Sequence, residues 1–167
     1  LKSHGGAITV ESEPGKGSLF SVFLPVYHER YPKEEPCPEN HPLPKGKGRI
    51  LVVDDEKTIL SSMHRVLEES GYSVTAFEDA VEALDVFSRD PGGFDLVITD
   101  LTMPGMTGIE LSKKLLALRS DLPVILSTGY SDVIDEREMN SLGIREMIMK
   151  PSNIVDLKTA VRRVLEN

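Results

Sequence analysis

Cysteine is nearly missing from this chain: Cys37 is the single one in 167 residues, so no internal disulfide can brace the fold. It sits among prolines, where it reads as a linker thiol and not a reactive one. No apolar run approaches the ~20 residues needed to cross a bilayer, and no secretory signal opens the chain. Positive charge is also scarce. Against 27 Asp and Glu stand 19 Lys and Arg, a formal net charge of -8 with a sequence pI near 5.0. That balance argues against nucleic acid as a partner bound through a broad basic face. It suits a cytoplasmic module with an acidic pocket. Leu1 is not a natural start, so a longer parent protein is expected. What remains is ordinary for one globular domain with a small appendage: 40% hydrophobic and 28% charged residues.

Three regions follow one another. Residues 1–27 read as a β-hairpin: Ala7-Ile8-Thr9-Val10 alternates, Pro14-Gly15-Lys16-Gly17 can turn, and residues 19–24 resume as a strand. That second strand is apolar on both faces, with Leu19 and Phe23 on one, and Phe20, Val22 and Leu24 on the other. A lone two-stranded hairpin is marginal in water, so this one reads as the trailing edge of a larger domain, able to pair with a second chain. Residues 28–48 are proline-rich and charged without hydrophobic period, which marks a semi-extended linker that Gly46 and Gly48 release into the next domain.

Residues 49–167 repeat a β-α pattern. Strands are predicted at 50–53, 73–77, 96–100, 124–127 and 146–149, and helices at 57–70, 80–89, 108–119, 132–142 and 153–165. The first helix places Ile59, Met63, Val66 and Leu67 on one face, the last Ile154, Leu157, Val161 and Val164. Asp79 with Glu82 looks like a capping box, Ser152 can cap the last helix, and Gly71 can stop the first. Short apolar strands joined by helices give a doubly wound α/β fold with a five-stranded parallel sheet.

Polar residues stand where the apolar runs stop. Asp54 and Asp55 follow residues 50–53, Asp100 ends 96–100, Thr128 follows 124–127, and Lys150 follows 147–149. In open parallel sheets the ligand site lies at the carboxyl ends of the strands. Three carboxylates, a hydroxyl and an ammonium therefore meet on one rim. Like charges ~4 Å apart repel by roughly 4 kcal/mol at an effective dielectric of 20, and a hard divalent cation relieves that repulsion. Oxygen-only donors with no nearby His or Cys point to Mg²⁺ or Mn²⁺. Open positions on such an ion suit phosphate oxygens. Lys150 can neutralise a second phosphoryl oxygen, Thr128 can donate to a third, and an Asp can be the nucleophile.

Residues 50–56 (ILVVDDE), Asp100-Leu101-Thr102-Met103-Pro104-Gly105-Met106-Thr107-Gly108, Ser127-Thr128-Gly129 and Lys150-Pro151 together resemble the receiver domain of two-component signalling, whose fold is flavodoxin-like. The resemblance implies that Asp100 is the phosphoacceptor and that Asp55 and Asp100 ligate Mg²⁺. It also implies that Asp54 acts directly or through water and that the Thr102 carbonyl completes the protein ligands. Thr128 becomes the switch hydroxyl and Lys150 the phosphate-binding lysine. Where this family often has an aromatic switch, three residues before the lysine, the chain has Met147. Tyr130 either borders the pocket and screens attacking water or is an exposed loop aromatic.

Residues 1–27 resemble the C-terminal end of the ATP-binding domain of a sensor histidine kinase: Lys2-Ser3-His4-Gly5-Gly6, then Glu13-Pro14-Gly15-Lys16-Gly17-Ser18-Leu19-Phe20, then Leu24-Pro25. Lys16 is followed by Gly17 and position 10 is Val10, so this is no P-loop. The expectation is a hybrid sensor kinase fragment whose receiver takes a phosphoryl group from the phosphohistidine of a histidine kinase. It then serves a histidine phosphotransfer protein or a regulatory end. Dimerisation through the hairpin or a receiver face is a further expectation. Two alternatives stay open: a haloacid-dehalogenase-like phosphatase, which wants an Asp where Thr102 stands, and a pseudo-receiver that takes no phosphate. A DNA-binding regulator is not expected, because Asn167 closely follows the last predicted helix.

Overall fold

The computed structural model describes residues 5–25, 46–129, 139, 142–150 and 154–166. It divides into two units, Leu1–His41 and Pro42–Asn167. In the first, β1 (Ala7–Glu13) pairs antiparallel with β2 (Gly17–Phe23). The register sets Ile8 opposite Val22 and Val10 opposite Phe20, which gathers these four on one face. Leu19 and Phe23 share the other face with Thr9, Glu11 and Ser21. Each of these large apolar side chains is more than half exposed. Two strands with nothing buried gain little against their ordering entropy. Backbone amides of residues 7–24 in dilute chain are therefore expected to exchange with solvent almost unprotected. Strong protection that does not depend on concentration would show that the hairpin is buried within its own chain.

In the second unit the elements run β3 (Arg49–Val53), α1 (Lys57–Glu69), β4 (Ser73–Phe77), α2 (Ala80–Arg89), β5 (Leu96–Asp100), α3 (Gly108–Leu118), β6 (Val124–Thr128), β7 (Glu146–Met149) and α4 (Ile154–Glu166). All strand pairs are parallel, in the order β4-β3-β5-β6-β7. This is the doubly wound α/β sheet that the pattern predicts. The predicted helix 132–142, Tyr130, Pro151 and the Ser152 cap lie outside the described residues, apart from Met139 and Leu142. Among the described residues no helix is long and apolar enough to cross a membrane.

Alternation along each strand builds two cores. Ile50, Val52, Leu96, Ile98 and Ile125 face α1 and α4, whereas Leu51, Val53, Val97 and Val124 face α2 and α3. The three inner strands have no exposed residue except Arg49. Each fully buried Leu, Ile or Val there contributes roughly 1.5–3 kcal/mol. On α1 the buried set is Leu60, Met63, Val66 and Leu67. Ile59, next to Leu60 on the edge of that stripe, packs partly against the same core. On α4 the buried set is Leu157, Ala160 and Val161. Val164 is partly buried and Ile154, in the first turn, is 54% exposed.

The helix ends follow local chemistry. Past α1, Gly71 takes φ +98°, its N–H donates to the Glu68 carbonyl, and Tyr72 N–H donates to that of Leu67. This pair of bonds is a Schellman motif, and it needs glycine at that position. Asp79 caps α2 by accepting from the Val81 and Glu82 N–H groups. The full capping box is on α3, between Thr107 and Glu110. Its T-x-x-E spacing is plain in the sequence. Gly46 also does more than release the chain. Gly46 N–H donates to the Ser70 carbonyl, and a Cβ at Gly46 would lie 2.1 Å from the Tyr72 ring. Close approach to the domain explains that glycine.

Candidate functional site

The strand order reverses between β3 and β5. From β3 the chain moves outward to β4, then returns to the other side of β3 for β5 and continues to β6 and β7. A doubly wound sheet opens a crevice at such a switch point, at the carboxyl ends of its strands. Val53 pairs with Thr99, so Asp54 and Asp100 emerge side by side there. Asp100 pairs with Ser127, and Thr128 with Met149, which brings Lys150 to the same rim. Backbone bonds hold the edge: Asp54 N–H to the Phe77 carbonyl, Leu101 N–H to that of Ser127, and Lys150 N–H to that of Thr128.

One carboxylate oxygen each from Asp54, Asp55 and Asp100 lies within 4.8 Å of the others. Asp54 is 1% and Asp100 7% exposed, whereas Asp55 faces solvent. Lys150 Nζ sits 2.8 Å from Asp100 Oδ1 and 2.9 Å from Asp54 Oδ2, with Glu56 Oε1 at 3.9 Å. Asp54 Oδ1 accepts the Glu56 N–H at 2.9 Å. Its Oδ2 is buried and has no hydrogen bond of good direction among the described residues, although the ammonium is 2.9 Å away. At that range the charge attraction holds whatever the angle, and a lone pair is left for another electron-pair acceptor.

Burial raises the Asp100 pKa above the ordinary carboxylate value; Lys150 opposes the rise and Asp54 adds to it. For Lys150, burial alone would lower the pKa. The Asp100 and Asp54 carboxylates close beside it outweigh that effect, so the ammonium is held above its ordinary value. Three carboxylates against one partly buried ammonium leave the pocket acidic. An oxygen-only set of this kind fits a hard divalent cation.

The structure thus brings together Asp54, Asp55, Asp100 and Lys150. Thr128 is buried at the end of β6, with its hydroxyl 3.2 Å from the Gly129 carbonyl. Thr102 is exposed in the loop between β5 and α3. Met147 packs in a small cluster with Leu101, Leu126 and Ile144. Two residues near the site escaped the sequence reading. Glu56 continues the acidic run, but nothing in the run tells which way its side chain turns. Gly108 lies against the Asp100 backbone, where a Cβ would come 2.1 Å from the carbonyl oxygen. Its only signal is a glycine at a helix start.

A parallel sheet with this strand order and an acidic cluster at its switch point define a class, and the chain belongs to it. Residues 50–162 match the response regulator receiver domain family. Two curated relatives align over nearly the whole chain. One is the sensor kinase CckA of Brucella abortus, 30% identical over 99% of this chain and 18% of that protein. The other is the aerobic respiration control sensor protein ArcB of Escherichia coli, 31% identical over 97% of this chain and 21% of that protein. The chain therefore spans about a fifth of the length of these relatives. A response regulator receiver domain crystal structure from Clostridium thermocellum superposes with a TM-score of 0.67 at 30% identity, covering 71% of this chain and 94% of that one. The chain carries a receiver domain of two-component signalling, similar to those of hybrid sensor kinases.

Proposed function

We propose that Asp100 accepts a phosphoryl group from the phosphohistidine of a histidine kinase. A carboxylate oxygen of Asp100 attacks phosphorus, the P–N bond breaks, and the departing imidazole keeps the electron pair and takes a proton. Asp54, Asp55, Asp100 and the Thr102 carbonyl would hold Mg²⁺, which neutralises charge on the transferred group when bound. Lys150 neutralises a further phosphoryl oxygen and Thr128 donates a hydrogen bond to another. Water attack on the acyl phosphate returns the carboxylate slowly, or the group passes to a histidine phosphotransfer protein. The observation that carries this reading is the ammonium of Lys150 held between Asp54 and Asp100 at the switch point.

The same reading assigns residues 1–27 to the end of a histidine-kinase ATP-binding domain, 28–48 to a linker and 49–167 to the receiver. Alignment with sensor kinases over 99% and 97% of the chain, hairpin included, supports it.

The test is incubation with Mg²⁺ and acetyl phosphate. A single phosphoryl group labile to base and to hydroxylamine is expected. Steady turnover of phosphomonoesters would favour a phosphatase instead, and failure both to bind Mg²⁺ and to incorporate phosphate would leave a pseudo-receiver. Mg²⁺ affinity should respond in opposite senses to two substitutions. Asp55→Asn removes a ligand charge and is expected to weaken binding by ~10-fold or more. Lys150→Ala removes a repelling ammonium and should strengthen it several-fold. Calorimetric titration that showed equal weakening by both would count against these roles.

A further inference from the structure

Glu56 has an exposed carboxylate that the proposed transfer does not use. It is the N-cap of α1, with φ -86° and ψ 99°, yet its side chain makes no capping hydrogen bond. A capping side chain turns toward the N–H groups of its own helix. This one lies at the Lys150 ammonium instead, 3.9 Å away. Its backbone is fixed at both ends, by its N–H on Asp54 Oδ1 and its carbonyl on Leu60 N–H, each at 2.9 Å. Asp54 thus holds Glu56 with one oxygen and Lys150 with the other.

That sharing has a consequence for any divalent cation at the pocket. An ammonium 2.9 Å from Asp54 Oδ2 and 2.8 Å from Asp100 Oδ1 occupies the two buried carboxylates that the cation needs. The cation and the ammonium repel, so Lys150 must leave Asp54 without leaving Asp100. Glu56 is the remaining carboxylate within 4.0 Å of Nζ among the described residues. Its contact is about one ångström longer than a hydrogen bond, a gap that side-chain rotation closes.

We propose that Glu56 is a positioning residue for Lys150, receiving the ammonium from Asp54 when a divalent cation takes Asp54. The ammonium is thereby kept beside Asp100, where the phosphoryl group arrives. The inference rests on reading Asp54, Asp55 and Asp100 as a Mg²⁺ site. It differs from a direct effect of Glu56 on the ion, because it acts only through Lys150.

A double-mutant cycle in Mg²⁺ affinity separates the two. Calorimetric titration would be run on the unsubstituted chain, Glu56→Gln, Lys150→Met and the double variant, each checked for cooperative melting without metal. Glu56→Gln is expected to weaken Mg²⁺ roughly five-fold, the scale of one charge pair ~4 Å apart in high dielectric. In the Lys150→Met background the same change should alter affinity by less than about two-fold, so removing the lysine rescues the loss. Equal weakening in both backgrounds would overturn the proposal and leave Glu56 as a distant field on the ion. No weakening in either would overturn it as well. Absence of Mg²⁺ binding by the unsubstituted chain would instead remove the metal reading on which it rests.

Discussion

In Asp100→Asn, phosphoryl incorporation from acetyl phosphate is expected to fall from a single group per chain to none. The expectation follows from position. Asp100 is the carboxylate that ends the central strand β5, buried on the rim between the Asp54-Asp55 pair and the end of β6. It is also in contact with the Lys150 ammonium. Asn keeps the shape and loses the nucleophilic charge. Full incorporation in the variant, read by intact mass, would move the acceptor elsewhere. A second readout has the opposite sign. Burial raises the folded Asp100 pKa, so the folded metal-free chain holds that proton more tightly than the unfolded one. The ionised group is then a burden on stability, absent below the unfolded pKa and fully present above the folded one. Metal-free Asp100→Asn should therefore melt higher than the unsubstituted chain at neutral pH, with the gain vanishing toward acid. A gain that persisted unchanged below the ordinary carboxylate pKa would have to come from packing.

The convergence at the rim was legible because each site residue ends an apolar run. Short apolar runs between helical patterns marked the strands, and parallel strands present their carboxyl ends together. Asp54, Asp55, Asp100, Thr128 and Lys150 needed no more than that. What the pattern left out is directional. Whether Lys150 rests on Asp100 alone or bridges to Asp54 depends on side-chain reach, which composition does not encode. Glu56 is the same case: its place beside Lys150 depends on the fold of residues 54–56 around the Asp54 carboxylate. The α1 face predicted from Ile59, Met63, Val66 and Leu67 packs on the core, and Leu60 joins it because residues one position apart both fall within a wide apolar stripe. Gly108 is a contact made by one helix start on a neighbouring strand end, and no local preference announces it.

That contact carries the second large effect. Gly108→Ala is expected to destabilise the receiver by about 2–3 kcal/mol, against the usual gain of up to ~1 kcal/mol for replacing glycine in a helix. The contact outweighs propensity because of its distances. A Cβ at Gly108 would stand 2.1 Å from the Asp100 carbonyl oxygen and 3.0 Å from its carbon, both rigid backbone atoms. Neither side can yield cheaply. On α3, Leu111 and Leu115 are fully buried, and the Ser112 hydroxyl ties back to the Gly108 carbonyl. On the strand, the Leu101 N–H is bonded to Ser127 and its carbonyl accepts the Gly108 N–H. Relief must come from moving the end of β5, which is where the Asp100 carboxylate is mounted. Phosphorylation by acetyl phosphate should slow with the loss of stability, by up to ~100-fold for a shift on the order of 1 Å at the acceptor. Gly92→Ala serves as control, since a Cβ there meets only an Asp90 side-chain oxygen at 3.6 Å; it should stay within about 0.5 kcal/mol. Denaturant unfolding of both variants, with phosphorylation rates measured where each is folded, decides the point. A Gly108→Ala chain as stable and as fast as the unsubstituted one would mean that the Asp100 strand end and α3 are not in the tight contact that positions the acceptor.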